Sequence, residues 1–357
     1  MYKQESLFKT PNDLEKYLSD DSTEPLFLTG DSVSVLKKFP DASIDVIITS
    51  PPYYNQREYD NGGIGNEESY HAYIDDMLSV TSELFRVLKP TGSFWLNMGD
   101  TYEKKHLLGV PWRLAIQMED EQGWIMRNEV IWNKVKGGLD NSKDRLGNVH
   151  EQLFHFVKQS KGYYYNADKI RKNPGKSKVV HGSVVSSTGV SGVRYKRQIE
   201  LSTMLTSEQK HAASSALSDV LKQVENGDLA DFRMVIKGNQ RTTHSNSLKL
   251  SGRAKELDEK GFYFLKYNAK GAKPGDVWDI IPEDTQKRTT HFAPFPKDLL
   301  RIPLLATLPE SGIVLDPFSG TGTTAMVARE LGCKAIGIDI SENYIKLSEE
   351  RLQNDEK

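Results

Sequence analysis

The sequence predicts an α/β protein whose parallel sheet is built from both ends of the chain, with a module of different texture inserted between them. Three observations carry this. Short apolar segments alternate with amphipathic helical ones through residues 1–165, the alternation lapses over residues 161–274, and it resumes from Pro296 onward. At 357 residues the chain exceeds one typical core, which agrees with an α/β unit plus a second module. The expected division is 1–165, 166–274 and 275–357, the first and last parts sharing one sheet.

Each element follows from its pattern. Residues 26–28 read as a short strand and 45–49 as a buried one. Over residues 69–88, Tyr70, Tyr73, Ile74, Met77, Leu78, Leu84, Phe85 and Leu88 keep the i, i+3, i+4, i+7 rhythm of a crossover helix, which Lys89-Pro90-Thr91-Gly92 stops. Strands follow at 93–98, 129–132 and 152–157, with a helix near 111–121; the last two strands are candidates for a hairpin. Inside the insert the spacing predicts one helix, 208–224, closed by Gly227, while 182–192 is rich in Gly, Ser and Val with little rhythm. The C-terminal part reads as helix 296–307, strand 313–315, a glycine loop, helix 323–331, strand 335–338 and a final helix from Glu342.

Composition narrows the function classes. The net charge of −2 hides an asymmetry: residues 1–133 carry 12 Lys+Arg against 22 Asp+Glu, whereas residues 134–200 carry 14 against 5. Only the middle of the chain has the charge of a phosphate-facing surface, although a solvated lysine-rich loop would have it too. The longest apolar runs are strand-sized, so no membrane span is expected, and residues 1–10 lack the apolar core of a secretory signal. A cytoplasmic protein is expected. The single cysteine, Cys333, allows neither an internal disulfide nor a multi-cysteine zinc site, and no metal is expected.

Two loops carry chemistry. Asp316-Pro317-Phe318-Ser319-Gly320-Thr321-Gly322-Thr323 sits between a strand and a helix, where glycines let a ligand approach the backbone. Its spacing is neither that of a dinucleotide fingerprint nor that of a phosphate-binding loop, since no lysine follows. About twenty residues on, the next strand ends at Asp339, a carboxylate placed to accept from ribose hydroxyls. The second loop, Thr49-Ser50-Pro51-Pro52-Tyr53, lies at the carboxyl end of a presumed parallel strand, where ligands bind in such sheets. Its prolines stiffen the chain and withhold two donors. It therefore offers acceptors, the Ser50 side chain and the Pro51 carbonyl, beside the Tyr53 ring, an arrangement suited to an amino group and a stacked base. Cys333, between a helix and a strand, reads as a small buried hydrophobe, which excludes chemistry needing a thiolate nucleophile.

Together these residues resemble the amino-methyltransferases of DNA modification, whose catalytic motif is Asp, Asn or Ser before Pro-Pro-Tyr/Phe and whose cofactor motif is Phe-x-Gly-x-Gly. Ser50-Pro51-Pro52-Tyr53 precedes a long insert and Phe318-Ser319-Gly320-Thr321-Gly322 comes last, the order of the beta group. The resemblance spans about residues 25–165 and 275–352. It implies a doubly wound, seven-stranded, mostly parallel sheet of the S-adenosylmethionine-dependent type and S-adenosylmethionine as cofactor. It implies duplex DNA as substrate and a target recognition role for residues 166–274. A companion restriction endonuclease and a monomeric or homodimeric state are compatible with it. By matching position, Phe318, Gly320 and Gly322 would line the cofactor with Asp316, Thr321 and Thr323, Asp339 would meet its ribose, Asp31 would sit near the adenine, and Phe295 would wall the methionine moiety. Serine in the first motif position more often accompanies N4-cytosine methylation, which makes Ser50 point to cytosine and leaves N6-adenine as the alternative.

In the insert, Arg194, Lys196, Arg197, Lys237 and Arg241 alternate with Tyr195, Gln198, Asn239 and Gln240. Arginine reads guanine, Asn and Gln read adenine, and lysines position phosphates, so residues 194–198 and 237–246 are the candidate DNA contacts. A catalytically silent DNA-binding protein of the same fold is a rival that the complete Ser50-to-Tyr53 motif disfavours. A nicotinamide oxidoreductase fails on the glycine spacing.

Overall fold

The computed structural model describes residues 11–19, 21–56, 63–135, 142–172, 178–180, 183–185, 195–239, 252–282 and 296–354. The chain divides into two units, Met1–Lys169 with Gly275–Lys357, and Ile170–Pro274. The first contains, in order, α1 (Pro11–Ser19), β1 (Leu26–Thr29), α2 (Ser32–Leu36), β2 (Ile44–Thr49), α3 (Tyr70–Val87) and β3 (Leu88–Met98). A ribbon of β4 (Tyr102–Glu103) and β5 (His106–Leu107), then α4 (Val110–Gln122), β6 (Ile125–Asn133) and β7 (His150–Val157), complete its N-terminal part. The second unit holds β8 (Lys178–Val180), β9 (Ser183–Val185), α5 (Tyr195–Leu201), α6 (Ser207–Glu225), β10 (Leu229–Ile236), α7 (Gly252–Lys260) and β11 (Phe262–Asn268). The first unit resumes with β12 (Val277–Asp279), α8 (Lys297–Thr307), β13 (Ile313–Asp316), α9 (Thr323–Glu330), β14 (Lys334–Asp339) and α10 (Glu342–Asn354).

The main sheet runs β1-β14-β13-β2-β3-β7-β6-β12. Its first five strands are parallel, β7 is antiparallel to both β3 and β6, and β12 is parallel to β6. The sheet thus has eight strands rather than the expected seven. The addition, β12, is three residues long and too short to leave a pattern in the sequence, yet it buries Trp278.

Successive side chains of a strand point to opposite faces, and a parallel sheet is covered on both. Ile47, Leu315, Ile336 and Ile338 accordingly pack with Tyr73, Met77 and Leu84 of α3. On the other face, Val46, Ile48, Val314 and Ala335 pack with Leu299, Leu300 and Leu304 of α8, Val327 and Ala328 of α9, and Cys333. Each fully buried aliphatic side chain contributes about 1.5–3 kcal/mol by leaving water. Among the described residues no helix is long and apolar enough to cross a membrane.

The crossover helix α3 starts as its sequence predicts, with Ser69 accepting from the Ala72 amide. Its end differs from expectation. Lys89 to Gly92, expected to break the chain before a strand at residue 93, lie within β3, because the pairing jumps from Ile44↔Leu88 to Val46↔Ser93. This bulge absorbs the proline and is locked by Lys89 on Asp45 at 2.8 Å. A Cβ at Gly92 would lie 2.6 Å from the Asp45 carbonyl oxygen, so only glycine fits.

The second unit holds more structure than the single helix expected. α6 is capped by Thr206 and Gln209 in a reciprocal box. Its apolar side, Ala213, Leu217, Val220 and Val224, packs with Ile199 of α5 and with Phe232, Met234, Ile236 and Phe262 of the antiparallel pair β10–β11. The alternation of Phe232, Met234 and Ile236 with Asp231 and Arg233 is the strand signal the composition of the insert obscured.

Candidate active site

Five parallel strands end at one edge of the sheet, and β2 lies directly against β13, with Leu315 paired to Ile47. The two sequence motifs, some 270 residues apart, therefore emerge side by side. Because β7 runs the other way, its first residues reach the same edge, with Gln152 opposite Met98. β6 ends there too, with Asn133 opposite His150. This is the crevice at the carboxyl ends of strands where α/β sheets bind ligands.

The glycine loop is bound into this edge by its own backbone. The Ser319 amide donates to the Ile338 carbonyl at 2.8 Å, the Gly320 amide to Asp339 at 2.9 Å, and Gly322 caps α9 with φ 76°. Asp339 also accepts from the Ser341 amide at 2.9 Å; burial raises its pKa from the ordinary value. A Cβ built on Gly320 meets nothing within 4 Å, and the Ser319 hydroxyl is buried with no partner among the described residues. Open space at a glycine, an orphaned hydroxyl and a nearby carboxylate suit a ligand with polar groups at this turn. Phe318 is half-buried, and its amide donates to Asp316 at 3.1 Å.

Asp316 does not face that space. It is 1% exposed, and its carboxylate accepts the hydroxyl protons of Thr49 and Thr324, each at 2.6 Å. Burial lifts its pKa to about 6 against the lowering effect of these donors. Since Thr49 precedes Ser50, this carboxylate ties the two loops together. Thr321 and Thr323 turn toward Arg351 of α10, which donates to the Thr321 carbonyl at 2.6 Å and to the Thr323 hydroxyl at 3.4 Å. Asp31 caps α2 by accepting from the Ser34 amide at 2.9 Å. Phe295 lies outside the described residues.

At the other loop, the Ser50 hydroxyl is 2.9 Å from the Tyr53 hydroxyl, which in turn donates to Glu151 Oε2 at 2.7 Å. Asn97 Nδ2 donates to Tyr53 at 2.8 Å and to Glu151 at 2.7 Å, and the Lys134 ammonium pairs with Glu151 Oε1. Tyr73 of α3 fixes the loop by donating to the Pro52 carbonyl at 2.8 Å. The Tyr53 ring lies so close to Gly99 that a Cβ there would be 2.9 Å from it. Burial, and the negative charge of Glu151, hold the Tyr53 phenol well above its ordinary pKa. Pro51 is buried beneath the loop.

Asn97, Lys134 and Glu151 were not evident from the sequence. Their signal was a polar residue inside apolar strands: Asn97 interrupts Phe94-Trp95-Leu96 and Met98, and Glu151 is the second residue of β7. In the second unit Lys196 and Arg197 are exposed on α5, held by the fully buried Ile199. Arg197, Gln198, Leu201 and Asn239 line a surface cleft of about 310 Å³. Lys237 is paired with Asp258 at 2.8 Å. Arg194 and Arg241 lie outside the described residues.

Comparison with known proteins places this geometry. Residues 44–350 match the DNA methylase family. The Type II methyltransferase M.SfiI of Streptomyces fimbriatus is 30% identical over 88% of this chain and 88% of its own. M.SmaI of Serratia marcescens, also a Type II methyltransferase, is 27% identical over 91% and 89%. Among solved structures, the cytosine-N4-specific PvuII DNA methyltransferase shares the fold with a TM-score of 0.54 at 18% identity, covering 92% of this chain and 86% of that one. The chain belongs to the N6/N4 DNA methylase family and is an S-adenosylmethionine-dependent DNA methyltransferase.

Proposed function

We propose that the protein is a site-specific methyltransferase acting on N4 of cytosine in duplex DNA, with the target base extruded into the space beside Ser50. The observation that carries this is the position of Ser50 at the end of β2, beside the cofactor loop and tied to it through Thr49 and Asp316. Its oxygen and the Pro51 carbonyl offer two acceptors to an exocyclic amine. Two such contacts orient the nitrogen and favour its pyramidal, nucleophilic form. Ser50, rather than aspartate, in the first motif position supports cytosine over adenine.

S-adenosylmethionine supplies a methyl group on a positively charged sulfur. For its binding we assign Phe318 and the open face of Gly320 to its flank, Asp339 to its ribose hydroxyls, Asp31 to the neighbourhood of its adenine and Phe295 to its methionine end. Asp316, Thr321 and Thr323 act through the shape of the loop, since their polar side chains are engaged within the protein, and Gly322 through its left-handed backbone at the start of α9. The residues present fit the cofactor: a glycine turn free on its inner side, an unpartnered Ser319 hydroxyl and a carboxylate at the next strand end.

Residues 170–274 we assign to target recognition, with Lys196 and Arg197 toward DNA and the Gln198 and Asn239 amides beside them as base readers. Lys237, Arg194 and Arg241 are assigned to phosphates or bases on sequence grounds alone. Partnership with a restriction endonuclease is the context in which such an enzyme protects host DNA.

The test is transfer of labelled methyl to mixed-sequence duplex DNA followed by nucleoside analysis. N4-methylcytosine from the wild type, reduced by about 10²- to 10³-fold in Ser50→Ala with cofactor affinity kept, is expected. N6-methyladenine would overturn the choice of base and keep the site.

A further inference from the structure

We propose that Glu151 is the terminal proton acceptor of the methylation reaction, reached from the target amine through the hydroxyls of Ser50 and Tyr53. This rests on the reading of the Ser50 loop as the catalytic loop. Three oxygens stand in series: Ser50 Oγ to Tyr53 Oη at 2.9 Å, and Tyr53 Oη to Glu151 Oε2 at 2.7 Å.

The carboxylate sets the direction of this chain. A carboxylate has no proton to give, so the Tyr53 proton points at Glu151. The Tyr53 oxygen is then the acceptor for the Ser50 proton; one Ser50 lone pair faces the Asn97 amide at 3.3 Å and the other is left for the incoming amine. Without Glu151, each hydroxyl could turn either way, and Ser50 could present its proton to the amine instead of its lone pair. The groups facing Glu151 support this state. Lys134, from the end of β6, holds Oε1, and Asn97 of β3 donates to Oε2 at 2.7 Å. Tyr73 of α3 stands behind the same loop on the Pro52 carbonyl. The raised pKa of Tyr53 suits a relay that passes one proton while receiving another and does not rest as phenolate.

The step balances. The nitrogen lone pair forms the N–C bond as the S–C bond of the cofactor breaks, the bonding pair staying on sulfur. As it does so, positive charge builds on the nitrogen. Its proton moves to Ser50 Oγ, the Ser50 proton to Tyr53 Oη and the Tyr53 proton to Glu151, leaving a neutral methylated amine, two restored hydroxyls and a protonated carboxyl that water later deprotonates.

The experiment is single-turnover transfer of labelled methyl from S-adenosylmethionine to unmethylated mixed-sequence duplex DNA in H2O and in D2O, with either modified base scored. Wild type is compared with Glu151→Gln, Tyr53→Phe and Ser50→Ala. The wild-type rate is expected to fall in D2O, because protons move along the chain as the N–C bond forms. Glu151→Gln is expected to lose on the order of 10²-fold at neutral pH and to lose the solvent isotope effect, with cofactor affinity retained. Tyr53→Phe, which cuts the chain and leaves the Lys134 pair, shows the same two changes. A Glu151→Gln or Tyr53→Phe rate within threefold of wild type, or a slowed rate with the solvent isotope effect intact, overturns the proposal and leaves Glu151 a purely architectural part. A full rate in Ser50→Ala overturns the reading of the loop and the proposal with it.

Discussion

Two seams of the same sheet each hold a carboxylate at their carboxyl edge, and the two are set differently. Between β2 and β13, Asp316 is ringed by neutral donors, the Thr49 and Thr324 hydroxyls and the Phe318 amide. Between β3 and β7, Glu151 faces an ammonium group and connects through Tyr53 to Ser50. Asp316 has no cation among these partners to balance it and no bonded route to the reacting groups, so burial raises its pKa and its bonds serve to hold loops. Glu151 is paired with Lys134 and lies at the end of a chain of exchangeable protons. Depth of burial alone does not distinguish a reactive acid from a structural one; what it is bonded to does.

The largest effect that tests this contrast is the pH dependence of stability at Asp316. Folding raises its pKa from 3.8 to about 6, so its contribution is fully present below the unfolded value and is lost as pH rises through the folded one. Relative to Asp316→Asn, the wild type should lose about 3 kcal/mol of unfolding free energy between acid and neutral pH, at about 1.4 kcal/mol per unit. Urea unfolding of both proteins at several pH values measures it, and parallel curves would break the contrast. Next, Thr324→Val removes one donor from the buried carboxylate at nearly constant volume and should cost about 2 kcal/mol at neutral pH. A cost below about 0.5 kcal/mol in the same assay would mean Asp316 is already protonated there. The smallest effect belongs to the other seam. In Gly99→Ala the new Cβ would meet the Tyr53 ring at 2.9 Å and Glu151 Cγ at 3.4 Å. Displacing the ring should slow single-turnover transfer about tenfold and change stability by less than about 1 kcal/mol. An unaltered rate would show that the tyrosine needs no fixed position.

The sequence made one of these seams far more legible than the other. The loop from Asp316 to Thr323 and the turn from Ser50 to Tyr53 are contiguous, and each follows a strand with an unbroken apolar pattern, so spacing alone located them. Asn97, Lys134 and Glu151 are brought together only by the register of β3, β7 and β6, which no local pattern reports. The β10–β11 hairpin escaped for a related reason: its strands are separated by 25 residues, far beyond any hairpin turn. The bulge at Lys89 to Gly92 was misread because proline and glycine usually punctuate, and here a cross-strand ion pair keeps them in the strand.

The order of strands also governs when the molecule can come into being. β1, Leu26–Thr29, has β14, Lys334–Asp339, as its partner in the sheet, and β2 waits for β13 on one side. An emerging chain can therefore pair β2 with β3 and β3 with β7, but β1 has no template until β14, Lys334–Asp339, has left the ribosome. Such long-range pairing folds slowly. A chain cut short before β13 lacks both the glycine loop and the Asp316 tie to Thr49, so incomplete translation products cannot assemble the candidate site.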